Sequence, residues 1–192
     1  SVSSTLTPSG GLDSLRKVLI LGAAKDLTVL GDVKFTNESN KAEDNALVVG
    51  AADNVMISSA NLTYDGANLG IGSGDQTSDS MWLVNTTINA GGNLAVGSLG
   101  TLNIGSAEFL VGQANQATSD PDNVYLYAND LIQANGLSFS GGNLDDVYME
   151  AITLNLSNIA FPSNSDVMLR SRDGSLHFDT YSSPVVGGVN MT

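Results

Sequence analysis

Acidic residues in two polar loops are the side chains best suited, by type and spacing, to bind an ion. Asp120, Asp122 and Asp130 lie in or just after the run QANQATSDPDN, and Asp75 and Asp79 lie in the run GDQTSDS. Carboxylate oxygens in loops are ligands that Ca²⁺ takes. The pattern predicts a metal site at Asp120, Asp122 and Asp130, with Asp75 and Asp79 as a second candidate. A solvated acidic turn is the alternative in both loops.

A second set of ionisable residues has the types needed for acid–base chemistry. Asp145 and Asp146 are adjacent, and Arg170, Arg172 and His177 follow them in the chain. Paired carboxylates cleave glycosidic bonds when one acts as an acid and the other activates water. Surface charge explains these five residues more simply, so the sequence predicts no catalytic residue and a protein that is not an enzyme.

Motifs of nucleophilic catalysis and of nucleotide binding are missing from the sequence. It contains no Cys, no G-x-S-x-G and no P-loop, and no G-x-G-x-x-G lies between a strand and a helix pattern. We therefore expect no cofactor apart from Ca²⁺.

Five asparagines stand in N-x-S/T sequons, the acceptor pattern for N-glycosylation. The first three are 24 positions apart, although chance sequons are expected in a chain rich in Asn and Ser. The candidate glycosylation sites are Asn37, Asn61, Asn85, Asn155 and Asn190.

A repeat organises the middle of the chain. Gly66–Ser73 (GANLGIGS) returns 25 positions later as Gly91–Ser98 (GGNLAVGS), and a decayed copy begins at Gly141. Such recurrence indicates stacked structural units. Asn68, Asn93 and Asn143 hold the same place in the three copies, and we expect their side chains to hydrogen-bond along the stack as structural residues.

Short strand-like runs follow one another from residue 26 onward, bounded by Gly, Asn, Asp or Ser. The segment Leu12–Leu21 fits either a short helix or, over Lys17–Leu21, a strand. The predicted fold is all-β, a parallel β-helix (β-solenoid) with coils of about 23–25 residues, and a β-sandwich is the alternative. The predicted organisation is an N-terminal arm or cap over 1–16, the solenoid over 17–180 and a C-terminal tail over 181–192.

The charge distribution excludes some classes of partner. The net charge of the 192-residue chain is −13, and the span from Glu43 to Asp166 holds fourteen carboxylates and no Lys or Arg. This charge disfavours nucleic acid and anionic membranes. No apolar run approaches the length of a transmembrane helix. The span also lacks trypsin cleavage sites, which suits an extracellular or cell-surface location.

The motif G-x-N-L-x-[VI]-G-S, with short strands over about residues 26–180, resembles bacterial surface proteins built from parallel β-helix repeats. These include filamentous-haemagglutinin-like adhesins and autotransporter passengers. The resemblance implies a secreted or cell-surface bacterial structural protein that serves as scaffold, adhesin or filament subunit. Copies of the chain are the expected partners, joined through the termini and the solenoid ends.

Two other functions stay open at the level of sequence. One is a surface module that binds glycan or Ca²⁺ through the loops at 74–80 and 113–123. The other is a polysaccharide-cleaving β-helix enzyme.

Overall fold

Strands make up all the regular secondary structure of the residues that the computed structural model describes. The structure describes residues 4–6, 18–35, 45–112, 121–163, 165–179, 181–182 and 189–191. Twenty strands lie in these ranges: β1 Ser4–Leu6, β2 Val18–Ala23, β3 Leu27–Leu30, β4 Val33–Phe35, β5 Ala46–Ala51, β6 Val55–Ser58, β7 Asn61–Tyr64, β8 Asn68–Ser73, β9 Ser80–Ala90, β10 Asn93–Ser98, β11 Thr101–Val111, β12 Asp122–Ala128, β13 Leu131–Ser140, β14 Leu144–Ala151, β15 Thr153–Ser157, β16 Ile159–Ala160, β17 Asp166–Ser171, β18 Leu176–Phe178, β19 Tyr181–Ser182 and β20 Val189–Met191.

The strands form two sheets, and every strand pair in them is parallel. One sheet has eight strands in the order β2-β5-β8-β10-β12-β14-β17-β20. The other has twelve strands, with the main order β1-β4-β7-β9-β11-β13-β15-β18. The chain alternates between the sheets and returns each time beside its previous strand, so it winds a β-solenoid of about six turns. The predicted parallel β-helix is confirmed, and the β-sandwich, which is antiparallel, is wrong.

The twelve-stranded sheet is folded along one line, so the solenoid has three sides. A residue with positive φ stands at the fold line in six successive coils: Gly31, Ser59, Asn85, Ser106, Gly136 and Asn158. The strand register places each of these residues beside the one in the next coil. For example, Val84 pairs with Gly105 and Thr86 pairs with Ala107, so Asn85 lies beside Ser106. Left-handed backbone is open to Gly and tolerated by Asn, which explains four of the six residues without special packing.

The core is made by strict alternation of inward apolar and outward residues. In β8 and β10 the side chains of Leu69, Ile71, Leu94 and Val96 are all buried, and the register pairs Leu69 with Leu94 and Ile71 with Val96. Like residues therefore stack along the solenoid axis. The same stacking brings Phe139 parallel to Phe161, with 6.1 Å between ring centroids.

Coil length varies more than the repeat predicts. Val18 pairs with Ala46, 28 positions later, and Asn68 pairs with Asn93, 25 positions later. Leu94 pairs with Val124, 30 positions later, and Val147 with Val167, 20 positions later. The prediction of 23–25 residues per coil holds from Asn68 to Asn93 and from Val124 to Val147, and the other coils cited above depart from it because their turns differ in length.

The sheets extend past both boundaries predicted for the solenoid. β1, which lies in the segment assigned to the arm, pairs with β4, while β19 and β20, in the segment assigned to the tail, pair with β16 and β17. Val18–Leu21 belongs to β2, so the strand alternative is confirmed for these residues; Lys17 lies outside the described ranges.

The first coil leaves part of the core open. Leu19, Leu21, Leu27 and Val29 point inward, as their register partners Leu47, Val49, Val55 and Ile57 show. These partners are at most 1% exposed, whereas Leu21 is 39% exposed and the other three are half-buried. Within the described ranges, β2 and β3 have a neighbouring strand on one edge only.

Candidate functional site

Three carboxylates meet at one corner of the solenoid. Asp53 belongs to the turn after β5, and Asp75 and Asp79 belong to the loop after β8, which stacks on that turn in the next coil. One oxygen from each carboxylate lies within 4.8 Å of the others. The sequence pointed to Asp75 and Asp79, and the structure adds Asp53. No sequence signal linked Asp53 to them, because the register between coils creates the contact.

The Asp79 carboxylate stabilises the loop at this corner. Its Oδ2 accepts hydrogen bonds from the backbone N–H groups of Asp75 at 3.0 Å and Gln76 at 2.9 Å. Clustered carboxylate oxygens suit Ca²⁺ chemically, but surface acidic groups of this kind are common without an ion. Nothing else at the corner points to a ligand, so we describe the cluster as a group that organises the loop.

The structure does not bring the predicted metal ligands Asp122 and Asp130 together. Asp122 opens β12 and Asp130 follows its end, so about 20 Å of extended chain separates them. Asp120 lies outside the described residues. Asp122 is 4% exposed, its Oδ2 has no hydrogen-bond partner, and burial raises the pKa of its carboxyl group.

The predicted hydrogen-bonded stack of asparagines, which we call the asparagine ladder, is present, but Asn123 takes the third position in place of Asn143. Asn93 Nδ2 donates to Asn68 Oδ1 at 3.1 Å, and the backbone N–H of Asn123 donates to Asn93 Oδ1 at 2.9 Å. Asn143 lies before β14, and its carbonyl accepts from the N–H of Asp122. The prediction for Asn143 is corrected, because the bulge between Asp122 and Asn123 shifts the register and Asp146 takes the next place in the ladder.

The candidate acid–base residues are dispersed. Asp146 pairs with Asp166 in the register, while Arg170 pairs with Glu150 four positions further along, about 13 Å away on an extended strand. His177 is on β18 in the other sheet. Tyr148 donates its hydroxyl to Asp146 Oδ2 at 2.8 Å, and this hydrogen bond raises the pKa of Tyr148.

Arg170 and Arg172 serve as structural cations on the last coils. Arg170 lies 3.3 Å from Glu150, and Arg172 Nε lies 3.6 Å from the other oxygen of the same carboxylate. The Arg172 guanidinium also stacks over Tyr127 at 5.2 Å and donates to the carbonyl of Asn129 at 2.6 Å. It therefore ties three coils together.

The sequon asparagines do not form one exposed row. Asn61 is exposed, but its Nδ2 donates to Asp32 at 2.7 Å; Asn155 donates to Gln133 at 2.8 Å and is half-buried. Asn85 is exposed at the fold line. Asn37 lies outside the described residues, and Asn190 is in β20.

A groove on the twelve-stranded sheet is one concave feature of the surface. It has a volume of about 410 Å³ and is lined by Asp32 and by residues of β4, β7 and β9: Val33, Lys34, Asn61, Thr63, Thr87 and Asn89. Asn and Thr side chains make up most of its lining, and Asp32 and Lys34 are its ionisable residues.

The outward side of the eight-stranded sheet carries the exposed residues that sequence reasoning missed. We call it the flat face and define it by the outward residues of β2, β5, β8, β10, β12, β14 and β17. Ile20 is 69% exposed and Tyr125 is 46% exposed on this face. The recurring glycines of the repeat were a signal for it, but only the register shows that Gly22, Gly50, Gly72 and Gly97 form one file.

No family model, curated protein or solved structure matches this chain. Among the residues that the structure describes, no helix is long and apolar enough to span a membrane.

Proposed function

We propose that this protein is a non-enzymatic structural protein of the cell surface or extracellular space that assembles end to end from copies of itself. The open first coil is the observation that supports this most. Leu19, Leu21, Leu27 and Val29 face inward without full cover, so each lacks part of the about 1.5–3 kcal/mol that full burial of an apolar side chain provides.

Edge strands add to this argument. Unpaired N–H and C=O groups along a strand edge are a template for another strand, and β2 and β3 present such edges within the described ranges. The C-terminal coils present β18 and β20, each with one neighbour in its sheet. Joining these two ends is a head-to-tail contact, which produces open filaments when the rotation does not close.

Charge and composition support the proposed location. A net charge of −13 disfavours anionic partners. The absence of Cys means that no part of the fold depends on a redox compartment. The two other functions predicted from the sequence, the glycan- or Ca²⁺-binding module and the polysaccharide-cleaving enzyme, have no specific contact in their favour and stay predictions.

The test of end-to-end assembly is Leu21→Lys, examined by electron microscopy and sedimentation. Lysine at this partly exposed inward position leaves a charge at the end of the rod, so we expect the end-to-end filaments of the native protein to be lost.

The matched control is Leu30→Lys on the same coil. Leu30 is 65% exposed and points outward, so this variant keeps the assembly. Native protein that stays a single subunit at all concentrations, or equal behaviour of the two variants, would contradict end-to-end assembly.

A further inference from the structure

The flat face divides into a shallow half and a raised half. On β2, β5, β8 and β10 the outward residues are small, or aliphatic on the first two strands, and none is ionisable: Val18, Ile20, Gly22, Ala46, Val48, Gly50, Asn68, Gly70, Gly72, Asn93, Ala95 and Gly97. On β12, β14 and β17 most of the outward residues are large, namely Tyr125, Tyr127, Tyr148, Glu150, Met168 and Arg170, and the others are Asn123, Asp146 and Asp166.

Three of the four glycines in the file are not required by the fold around them, whereas a Cβ at Gly50 would lie 2.7 Å from the carbonyl oxygen of Gly72. At Gly22, Gly72 and Gly97 an added Cβ would meet no atom within 4 Å, and φ is not positive. Glycine inside a strand is destabilising by about 0.5–1 kcal/mol, and it often marks a place where another chain approaches closely. The glycine file therefore points outward, to a surface that packs against it.

The raised half is held in fixed orientations. The rings of Tyr125 and Tyr148 stack with 5.0 Å between centroids and 4° between planes. Tyr127 lies under Arg172, and Glu150 pairs with Arg170 at 3.3 Å. Aromatic side chains fixed in this way lose little conformational entropy when they bind.

We propose that two copies of this chain pair through their flat faces with the solenoid axes antiparallel, about a twofold axis that runs along β10. This arrangement sets the raised half of each copy on the shallow half of the other. Tyr127 of the second copy lies over Gly72, Tyr125 over Gly70, and Met168 over Ile20. The contact is isologous, as in most homodimers.

Charge supports this occupant and this orientation. The ionisable residues of the flat face lie on β14 and β17, and antiparallel pairing sets them against the uncharged β2 and β5 of the other copy. Parallel pairing would place each charged coil against the same coil of the other copy, and large side chains would face large side chains. A chain of net charge −13 thus has one broad surface on which like charges are not opposed.

The area is sufficient for a stable dimer. Seven strands at about 4.8 Å spacing and about 20 Å length give a face of about 670 Å². Two copies would bury about 1,300 Å², above the limit of about 1,000 Å² that separates specific interfaces from casual contacts. The pairing uses the side of the rod, so it goes beyond end-to-end assembly and holds with or without it.

The first test is Gly72→Lys, studied in the Leu21→Lys background so that end contacts do not contribute. The proposal expects the Leu21→Lys protein to sediment as a dimer and the double variant as a monomer. The matched control is Gly105→Lys, a strand glycine on the other sheet whose Cβ would meet only Val84 at 3.9 Å; this variant stays a dimer. A monomeric Leu21→Lys protein, or a dimer that survives Gly72→Lys, overturns the proposal.

Single cysteines test the orientation, since the native chain has none. Ala95→Cys, on the twofold axis, forms a disulfide-linked dimer on oxidation. Ile20→Cys and Met168→Cys each stay unlinked alone and link when mixed. Linkage of Ile20→Cys with itself indicates parallel pairing and overturns the proposal, as does a monomer that binds insoluble cellulose and loses this binding on Gly72→Lys.

Discussion

Asp79 shows what a single carboxylate does at a corner of the solenoid. Its Oδ2 holds the N–H groups of Asp75 and Gln76, and its carbonyl accepts from Thr101 in the next coil. One residue thereby shapes its own loop and attaches it to the following turn. The carboxylates of Asp53 and Asp75 lie at the same corner, but the hydrogen bonds that shape the loop are accepted by Asp79.

Removing the Asp79 carboxylate tests that assignment. We expect Asp79→Ala to lower the free energy of unfolding by about 1–2 kcal/mol, because two hydrogen bonds to a charged acceptor are lost. Asp75→Ala, at an exposed carboxylate, should change it by less than about 0.5 kcal/mol. Urea unfolding measures both, and equal losses would contradict the role of Asp79.

Asp122 carries an energetic cost that depends on pH. Burial raises the pKa of its carboxyl group above the ordinary value of 3.8, so the folded state holds its proton at pH values where the unfolded state has released it. Stability from this group is present below pH 3.8 and is lost as pH rises through the folded pKa. At neutral pH the group destabilises the fold.

Asp122→Asn should therefore raise the urea midpoint at pH 7. The gain should shrink as the pH falls toward 3.8 and vanish below it, where the native carboxyl group is neutral in both states. Unfolding curves at several pH values provide the measurement. A gain that is the same at every pH would show that charge burial is not its source.

At the scale of elements, the fold line decides the cross-section of the solenoid. One positive-φ residue per coil bends β9, β11 and β13 so that each strand serves two sides. The neighbouring residues keep their ladder pairs, as between Gly105 and Asn135 and between Ala107 and Leu137. The bend therefore sacrifices one pairing position per coil and leaves the alternation on both sides intact.

Asn85 is the position at which to test the fold line. Asn85→Val should lower the free energy of unfolding by about 1–2 kcal/mol, since left-handed backbone is costly for a β-branched residue. Asn85→Gly should be neutral or slightly stabilising, and thermal or urea unfolding compares the two. If both variants unfold alike, backbone conformation does not limit stability at this corner.

At the scale of the whole molecule, charge opposes the assembly proposed here. Carboxylates outnumber basic groups by 20 to 7, and their mutual repulsion acts over about 10 Å at 0.1 M salt. Both the open first coil and the shallow half of the flat face are apolar or small, which gives contacts that salt does not weaken.

Self-association should therefore strengthen as salt rises. Sedimentation of the native protein at about 0.02 M and 0.5 M NaCl should show a larger oligomeric fraction at high salt, because the Debye length shortens several-fold. Dissociation at high salt would instead mean that ion pairs hold the copies together, and would contradict apolar contacts at the ends and on the flat face.

The sequence by itself determined the fold class and much of the core. Alternation in runs such as NLGIGS and NLAVGS is a local property with a period of two residues, and it commits Leu69, Ile71, Leu94 and Val96 to the interior wherever the strand lies. The 25-residue recurrence then stacks these strands, which also predicted the contact between Asn68 and Asn93.

Tertiary structure alone decided which residues meet between coils. Turns of different length and the bulge at Asp122 set the register, so Asn123 replaced Asn143 in the ladder and Asp53 joined Asp75 and Asp79. The same register aligned four scattered glycines into one file. Alternation depends on neighbours along the chain. Register depends on the number of residues in each turn between strands, and that number is fixed only when the coils stack.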